Sequence, residues 1–155
     1  MTQEQSGAKA ARNGKSFENV LKAMLDEHPR YAAQYQFRLD TGKADGRPCR
    51  FDAMVFDRQA GERIIISCKA QHSSGSTEEK VPFELLHLSH SLNAEAAERA
   101  YLVLFGEGFS RVKHFYLSPA FKEYMPNLAY GRPWGDNLRM LNVETLSQLI
   151  HREKL

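Results

Sequence analysis

The sequence predicts an α/β chain in which a mixed β-sheet is flanked by helices, in the order helix, strand, strand, strand, helix, strand. Two observations carry this. Three strand-like runs, Tyr31 to Leu39, Arg50 to Phe56 and Arg63 to Lys69, follow one another as a meander with only turn-rich connections. A helical pattern then separates the third run from the apolar "YLVLF" at Tyr101 to Phe105, and a strand reached through a helix returns to the sheet as a crossover.

Each element has its own local reason. Residues 1–14 are polar and expected to be flexible, with Lys9 and Arg12 giving them a positive bias. Ser16 reads as the cap of a helix from Phe17 to about Glu27, where Phe17, Leu21, Met24 and Leu25 form a stripe and Pro29 stops the chain. The loop "DTGKADGRP" joins the first two strands, and "DRQAGE" joins the second to the third. Ile64, Ile65 and Ile66 make the third strand central. Beyond "SSGST", Glu78 to about Leu92 reads as a helix that buries Val81, Leu85, Leu88 and Leu92 and tolerates Pro82 in its first turn. Gly106 and Gly108 bound the fourth strand. Residues 106–155 read as an appendage to a single domain: a helical stretch near Val112 to Tyr124, a loop, a short strand at Leu138 to Leu141, and a last helix capped by Asn142.

At 155 residues the chain is long enough to bury a real core. A net charge of +2 permits a polyanionic partner without demanding one. Cys49 and Cys68 are too few for a disulfide framework, which favours a reducing, cytoplasmic compartment. No apolar run approaches membrane-spanning length, and the polar first residues lack the core of a signal peptide.

Chemistry concentrates at the end of the third strand, "RIIISCKAQ". Period-two alternation puts Ile64, Ile66 and Cys68 on one face, leaving Cys68 a packed thiol, and Ile65, Ser67, Lys69 and Gln71 on the other. A lysine and a glutamine thus emerge at the carboxyl end of a central strand, where open α/β sheets place ligands. Asp52 is the one acid in the apolar middle of the preceding strand, and Glu84 lies on the buried stripe of the following helix, where a carboxylate needs a cation. Asp52, Lys69 and Glu84 are therefore expected to converge.

This arrangement resembles the PD-(D/E)XK nuclease superfamily: an Asp on one strand, a Lys ending the next, and the same element order. The resemblance implies a restriction-endonuclease-like three-layer core and Mg²⁺-dependent hydrolysis of DNA, with Mn²⁺ as a substitute. It implies that the aspartate and a second acid bind metal while the lysine activates water and stabilises charge on the phosphate. Phe51 stands where the motif has proline, and Ser67 stands where it has its second acid. A subgroup of restriction endonucleases also reads S-x-K and takes that acid from the next helix; here K-x14-E ends at Glu84. On this resemblance Asp52, Glu84 and the Cys68 carbonyl hold the metal, Lys69 faces the phosphate, and Glu18 binds the metal indirectly or pairs with Lys69. Gln71 completes a K-x-Q that recurs in several branches, and "CKAQHSSGSTEEKVPFEL" resembles stand-alone nuclease-like members. The resemblance covers roughly Lys15 to Phe105.

Around this site Arg47 and Arg50, with Lys43, are placed to line a nucleic-acid groove. His72, Ser73, Ser74, Ser76 and Lys80 are placed to touch the backbone. Trp134 and Tyr130 read as core cover or as stacking groups, and Glu78 and Glu79 as first-turn acids. A zinc site from Glu84, His87 and His90 is disfavoured because His90 rotates away from Glu84 around the helix. The expected function is a DNA endonuclease, expected as a homodimer because two strands must be cut. The alternatives are a binding module of this fold that lost its acid at Ser67, and a scaffold whose lysine forms an incidental salt bridge.

Overall fold

A computed structural model describes residues 3–40, 45–71, 80–107, 109, 113–123 and 135–155. Its elements are α1 (Gln3–Asp26), β1 (Tyr31–Leu39), β2 (Cys49–Asp57), β3 (Glu62–Ala70), α2 (Val81–Asn93), β4 (Arg99–Phe105), α3 (Lys113–Tyr116), α4 (Pro119–Lys122), β5 (Leu138–Asn142) and α5 (Val143–His151). A 3-10 turn at Gly135–Asn137 leads into β5.

One five-stranded sheet runs in the order β1-β2-β3-β4-β5. β1, β2 and β3 are antiparallel neighbours, whereas β3, β4 and β5 are parallel. The sheet is mixed, as the meander and crossover predict. Ile64 and Ile66 of β3, with Tyr101 and Val103 of β4, pack with Phe17, Leu21 and Leu25 of α1 and Leu146 and Ile150 of α5. Ile65, Leu102 and Leu104 face the other way and pack with Val81, Leu85, Leu88 and Leu92 of α2, and with Phe109 and Phe121. Helix, sheet and helix thus form three layers, and the alternation in β3 decides which isoleucine feeds which core.

Two expectations are corrected. The first helix begins at Gln3, so Ser16 lies inside it and does not cap it. The stretch "AKAARN" is rich in alanine, lysine and arginine, which propagate a helix without an apolar stripe. Residues 106–155 are not an appendage: they supply β5, which pairs with β4 from Ala100↔Leu138 to Leu104↔Asn142, and α5, which completes the α1 core. Asn142 does cap α5, its side-chain oxygen accepting the Thr145 N–H at 2.8 Å.

The β1–β2 pair contains a break that period-two alternation does not anticipate. Ala33, Tyr35, Ala53 and Val55 contact the α1 core, whereas Phe37, Leu39, Cys49 and Phe51 contact the α2 core. All eight are odd-numbered, so regular strands would show them on one face. The change falls at Gln36 and Asp52, which the register steps over between Tyr35↔Ala53 and Phe37↔Phe51. Gln36 takes a left-handed backbone conformation there, at φ 52°.

Candidate active site

The site forms where the β2–β3 ladder stops. Pairing ends at Ala53↔Ile66, and beyond it the Cys68 N–H donates to the Asp52 Oδ2 at 2.7 Å. A side-chain carboxylate takes the hydrogen bond that a neighbouring strand carbonyl would otherwise accept, which satisfies the amide and orients the acid. The chain that carries Asp52 has just changed faces opposite Gln36, and the Asp52 carboxylate meets β3 at the Cys68 N–H.

From the other layer, the first turn of α2 lowers Glu84 onto the same strand. Its Oε1 accepts from the Ser67 hydroxyl at 2.5 Å, and its Oε2 meets the Lys69 ammonium at 2.9 Å. Ser67 and Lys69 sit two apart on the α2-facing side of β3, so one carboxylate spans both. Glu84 is buried, while Lys69 is partly open to solvent. Glu84 therefore lies against both Ser67 and Lys69.

Electrostatics single out Asp52. Burial pushes its pKa up to about 6, the Cys68 N–H and the Lys69 charge pull it down, and the Glu84 and Glu18 charges push it further up. Burial likewise pushes the Cys68 thiol well up, with the Asp52 charge adding to it, which disfavours its thiolate. Glu18 is held below the usual carboxylate range by hydrogen bonds from Lys22 and Gln36.

The Glu18 contacts correct one expectation. Glu18 bonds Lys22 at 2.9 Å and the Gln36 amide at 3.0 Å, and it is Glu84 that pairs with Lys69. Gln71 is buried, and its N–H donates to the Phe105 carbonyl at 2.9 Å, tying the end of β3 to the end of β4. Lys80 is exposed at the start of α2, and Arg50 is exposed on β2. Arg47 is exposed but engaged by Asp45 at 2.6 Å. His72, Ser73, Ser74 and Ser76 lie outside the described residues, as do Lys43, Glu78, Glu79, Tyr130 and Trp134. Among the described residues no three His, Cys, Asp or Glu side chains form a ready metal cluster, and Glu84 turns inward to Ser67 and Lys69. Two participants escaped the sequence. Ser67 reads there as a lost acid, not as the donor that holds Glu84. Gln36, in "YQFRL", looks like an ordinary solvent-facing strand residue.

Against known families, the model of the PD-(D/E)XK nuclease superfamily domain matches residues 9–153. The chain belongs to the PD-(D/E)XK nuclease superfamily. The match runs through β5 and α5, well past the Phe105 limit of the resemblance read from sequence. No curated protein matches the chain. Among solved structures, SfsA of Pyrococcus furiosus in complex with Ca²⁺ is similar at a TM-score of 0.43 and 13% identity, covering 85% of this chain. This chain spans 56% of that protein, little more than half its length. Nucleases of this superfamily generally use divalent metals, and the donor set suits one: Asp52 and Glu84 offer the hard carboxylate oxygens that Mg²⁺ and Mn²⁺ prefer.

Proposed function

We propose that this superfamily member is a divalent-cation-dependent endonuclease that hydrolyses DNA phosphodiester bonds. The observation that carries the reading is the Ser67–Glu84–Lys69 contact beside an Asp52 fixed on the Cys68 N–H. Asp52 and Glu84, with the Cys68 carbonyl, would hold Mg²⁺, with Mn²⁺ as a substitute. When bound, the cation supplies Lewis-acid polarisation of the phosphate and a more acidic bound water.

The remaining work falls to the chain's own residues. Ser67 donates to one Glu84 oxygen and so fixes the rotamer of an acid that would otherwise be free to swing with the first turn of α2. Lys69 holds a positive charge where negative charge grows on the phosphate, and pre-placed charge is stabilising at that moment. Glu18 stands on the α1 side and orients water for the site. Gln71 braces the β3 end that carries Lys69. Arg47, Arg50, Lys80, His72, Ser73, Ser74 and Ser76 contact the DNA backbone. A homodimer brings two such sites to the two strands.

The second reading is a DNA-binding member without catalysis. It is favoured by the same ion pair, since Lys69 and Glu84 neutralise each other and Ser67 is not an acid. Incubating supercoiled and linear DNA with Mg²⁺, Mn²⁺ or EDTA separates the two, with Glu84→Ala beside the wild type. Metal-dependent cleavage that disappears in Glu84→Ala supports the nuclease; salt-sensitive binding without cleavage under any metal supports the second reading. Recovery of cleavage by Ser67→Glu in the Glu84→Ala background is expected if the two positions are interchangeable.

A further inference from the structure

We propose that Gln36 is a positioning residue of the site, acting on Asp52 through its backbone and on Glu18 through its side chain. The assignment of roles to Asp52 and Glu18 rests on the nuclease reading; the positioning of Asp52 does not.

The backbone argument starts from the face change. Gln36 and Asp52 lie opposite each other, outside the paired register, at the one point where both strands exchange the α1 core for the α2 core. Gln36 is the strand residue of this pair with a left-handed φ, 52°, a conformation that non-glycine residues adopt at a cost. With regular pairing at this position, Asp52 would follow the alternation of its strand and its carboxylate would stand off the sheet. With the break, it lies toward β3 and accepts the Cys68 N–H at 2.7 Å. The side-chain argument is independent. The Gln36 amide donates to Glu18 Oε2 at 3.0 Å, while Lys22 occupies Oε1 at 2.9 Å, so the α1 acid is held from both oxygens. Lys22 is itself placed 4.8 Å over the Tyr35 ring, next to Gln36 in the chain. Glu18 is near enough for its charge to act on Asp52. One strand residue therefore sets the direction of one acid and the position of another.

Three variants test this. Gln36→Val keeps a side chain but resists the left-handed region, because β-branching crowds it. Amide hydrogen exchange on the metal-free protein should then show Cys68 exchanging about tenfold faster relative to the β4 amides. Gln36→Gly keeps the conformation and deletes the amide. It should leave Cys68 protected and lower Mn²⁺ affinity by about tenfold, as loss of an outer hydrogen bond to a metal site does. In cleavage it should lower kcat with KM for DNA unchanged. Glu18→Gln should lower Mn²⁺ affinity similarly, and the double variant Gln36→Gly with Glu18→Gln should be no worse than either. The proposal is overturned if Gln36→Val folds with Cys68 protected as in the wild type. It is equally overturned if Gln36→Gly keeps wild-type Mn²⁺ affinity, or if the Gln36 and Glu18 losses multiply. Should Gln36→Val not fold, the Gln36→Gly cycle decides alone. A chain that never cleaves DNA, yet shows the Cys68 response, sinks the nuclease reading and leaves the backbone role of Gln36 standing.

Discussion

Asp52 sits under tension in the fold. Its pKa rises from 3.8 to about 6, chiefly because it is buried, so ionising it works against the fold. Below 3.8 the folded and unfolded chains are both protonated and the acid costs nothing. Between 3.8 and about 6 only the folded chain keeps the proton, so stability falls as pH rises. Above about 6 the penalty is complete, on the order of 3 kcal/mol. Asp52→Asn is therefore expected to abolish cleavage while stabilising the metal-free protein at pH 7 by about 1–3 kcal/mol. Urea unfolding from pH 4 to pH 8 checks it: the two proteins should converge near pH 4, and a gap that stayed constant with pH would show that Asp52 ionisation is not the cause. Lys69 has the opposite character. Removing it leaves the buried Glu84 carboxylate with the Ser67 hydroxyl but no cation. Lys69→Ala should thus lose cleavage and about 2 kcal/mol of stability. Adding Glu84→Gln should return most of that stability, and additive losses in the same unfolding cycle would show that the two charges are not coupled.

At the scale of elements, the sequence announces whatever is periodic and local. The three meander strands and the buried stripe of α2 stand where alternation and helical spacing put them, within two residues or so for the strand ends. The convergence of Asp52, Lys69 and Glu84 was legible for the same reason: two lie in strands and one on a helix stripe, and each is a lone charge among apolar neighbours. What was not legible lacks a local signature. The first half of α1 forms without an apolar stripe, so periodicity misses it, and β5 joins the sheet through a parallel pairing that no short-range pattern encodes. The face change at Gln36 and Asp52 is hidden because both strands break together, leaving odd-numbered apolar residues on either side. The far end of β2 shows a second device. Asp57 is buried and takes two hydrogen bonds of 2.8 Å from Arg30, plus the Gln59 and Ala60 amides of the turn into β3. Its pKa is lowered from 3.8 to about 2, first by the Arg30 hydrogen bonds. The sign follows: this stability is fully present above 3.8 and is lost as pH falls through about 2. Asp57→Asn should cost about 2 kcal/mol at pH 7 and flatten the acid limb of the unfolding profile between pH 4 and pH 2. An unchanged acid limb would remove Asp57 as its origin.

At the scale of the whole molecule, a net charge of +2 gives little general pull on a polyanion. The DNA affinity that the proposed function requires would then come from where the positive charges sit, not from how many there are. Lys69 is partly open to solvent near the end of β3, and Lys80 and Arg50 are exposed at the start of α2 and on β2. Each phosphate contact that one of these makes releases counterions, so Lys80→Ala should weaken binding to every DNA sequence alike and make the salt slope shallower by about 1. On the proposed nuclease reading, the same layout bears on how two strands would be cut. Asp52, Lys69 and Glu84 come together once in the described fold, whereas the strands of a duplex run in opposite directions. The proposed homodimer would offer two such sites related by a twofold axis, one for each strand. Supercoiled plasmid should therefore pass directly to linear product at protein concentrations where sedimentation shows a dimer, and stop at nicked circle below them. Nicked circle that accumulates at every concentration, from a chain that sediments as a monomer, would assign it a single-strand cut per encounter and leave the second strand to a second, independent event.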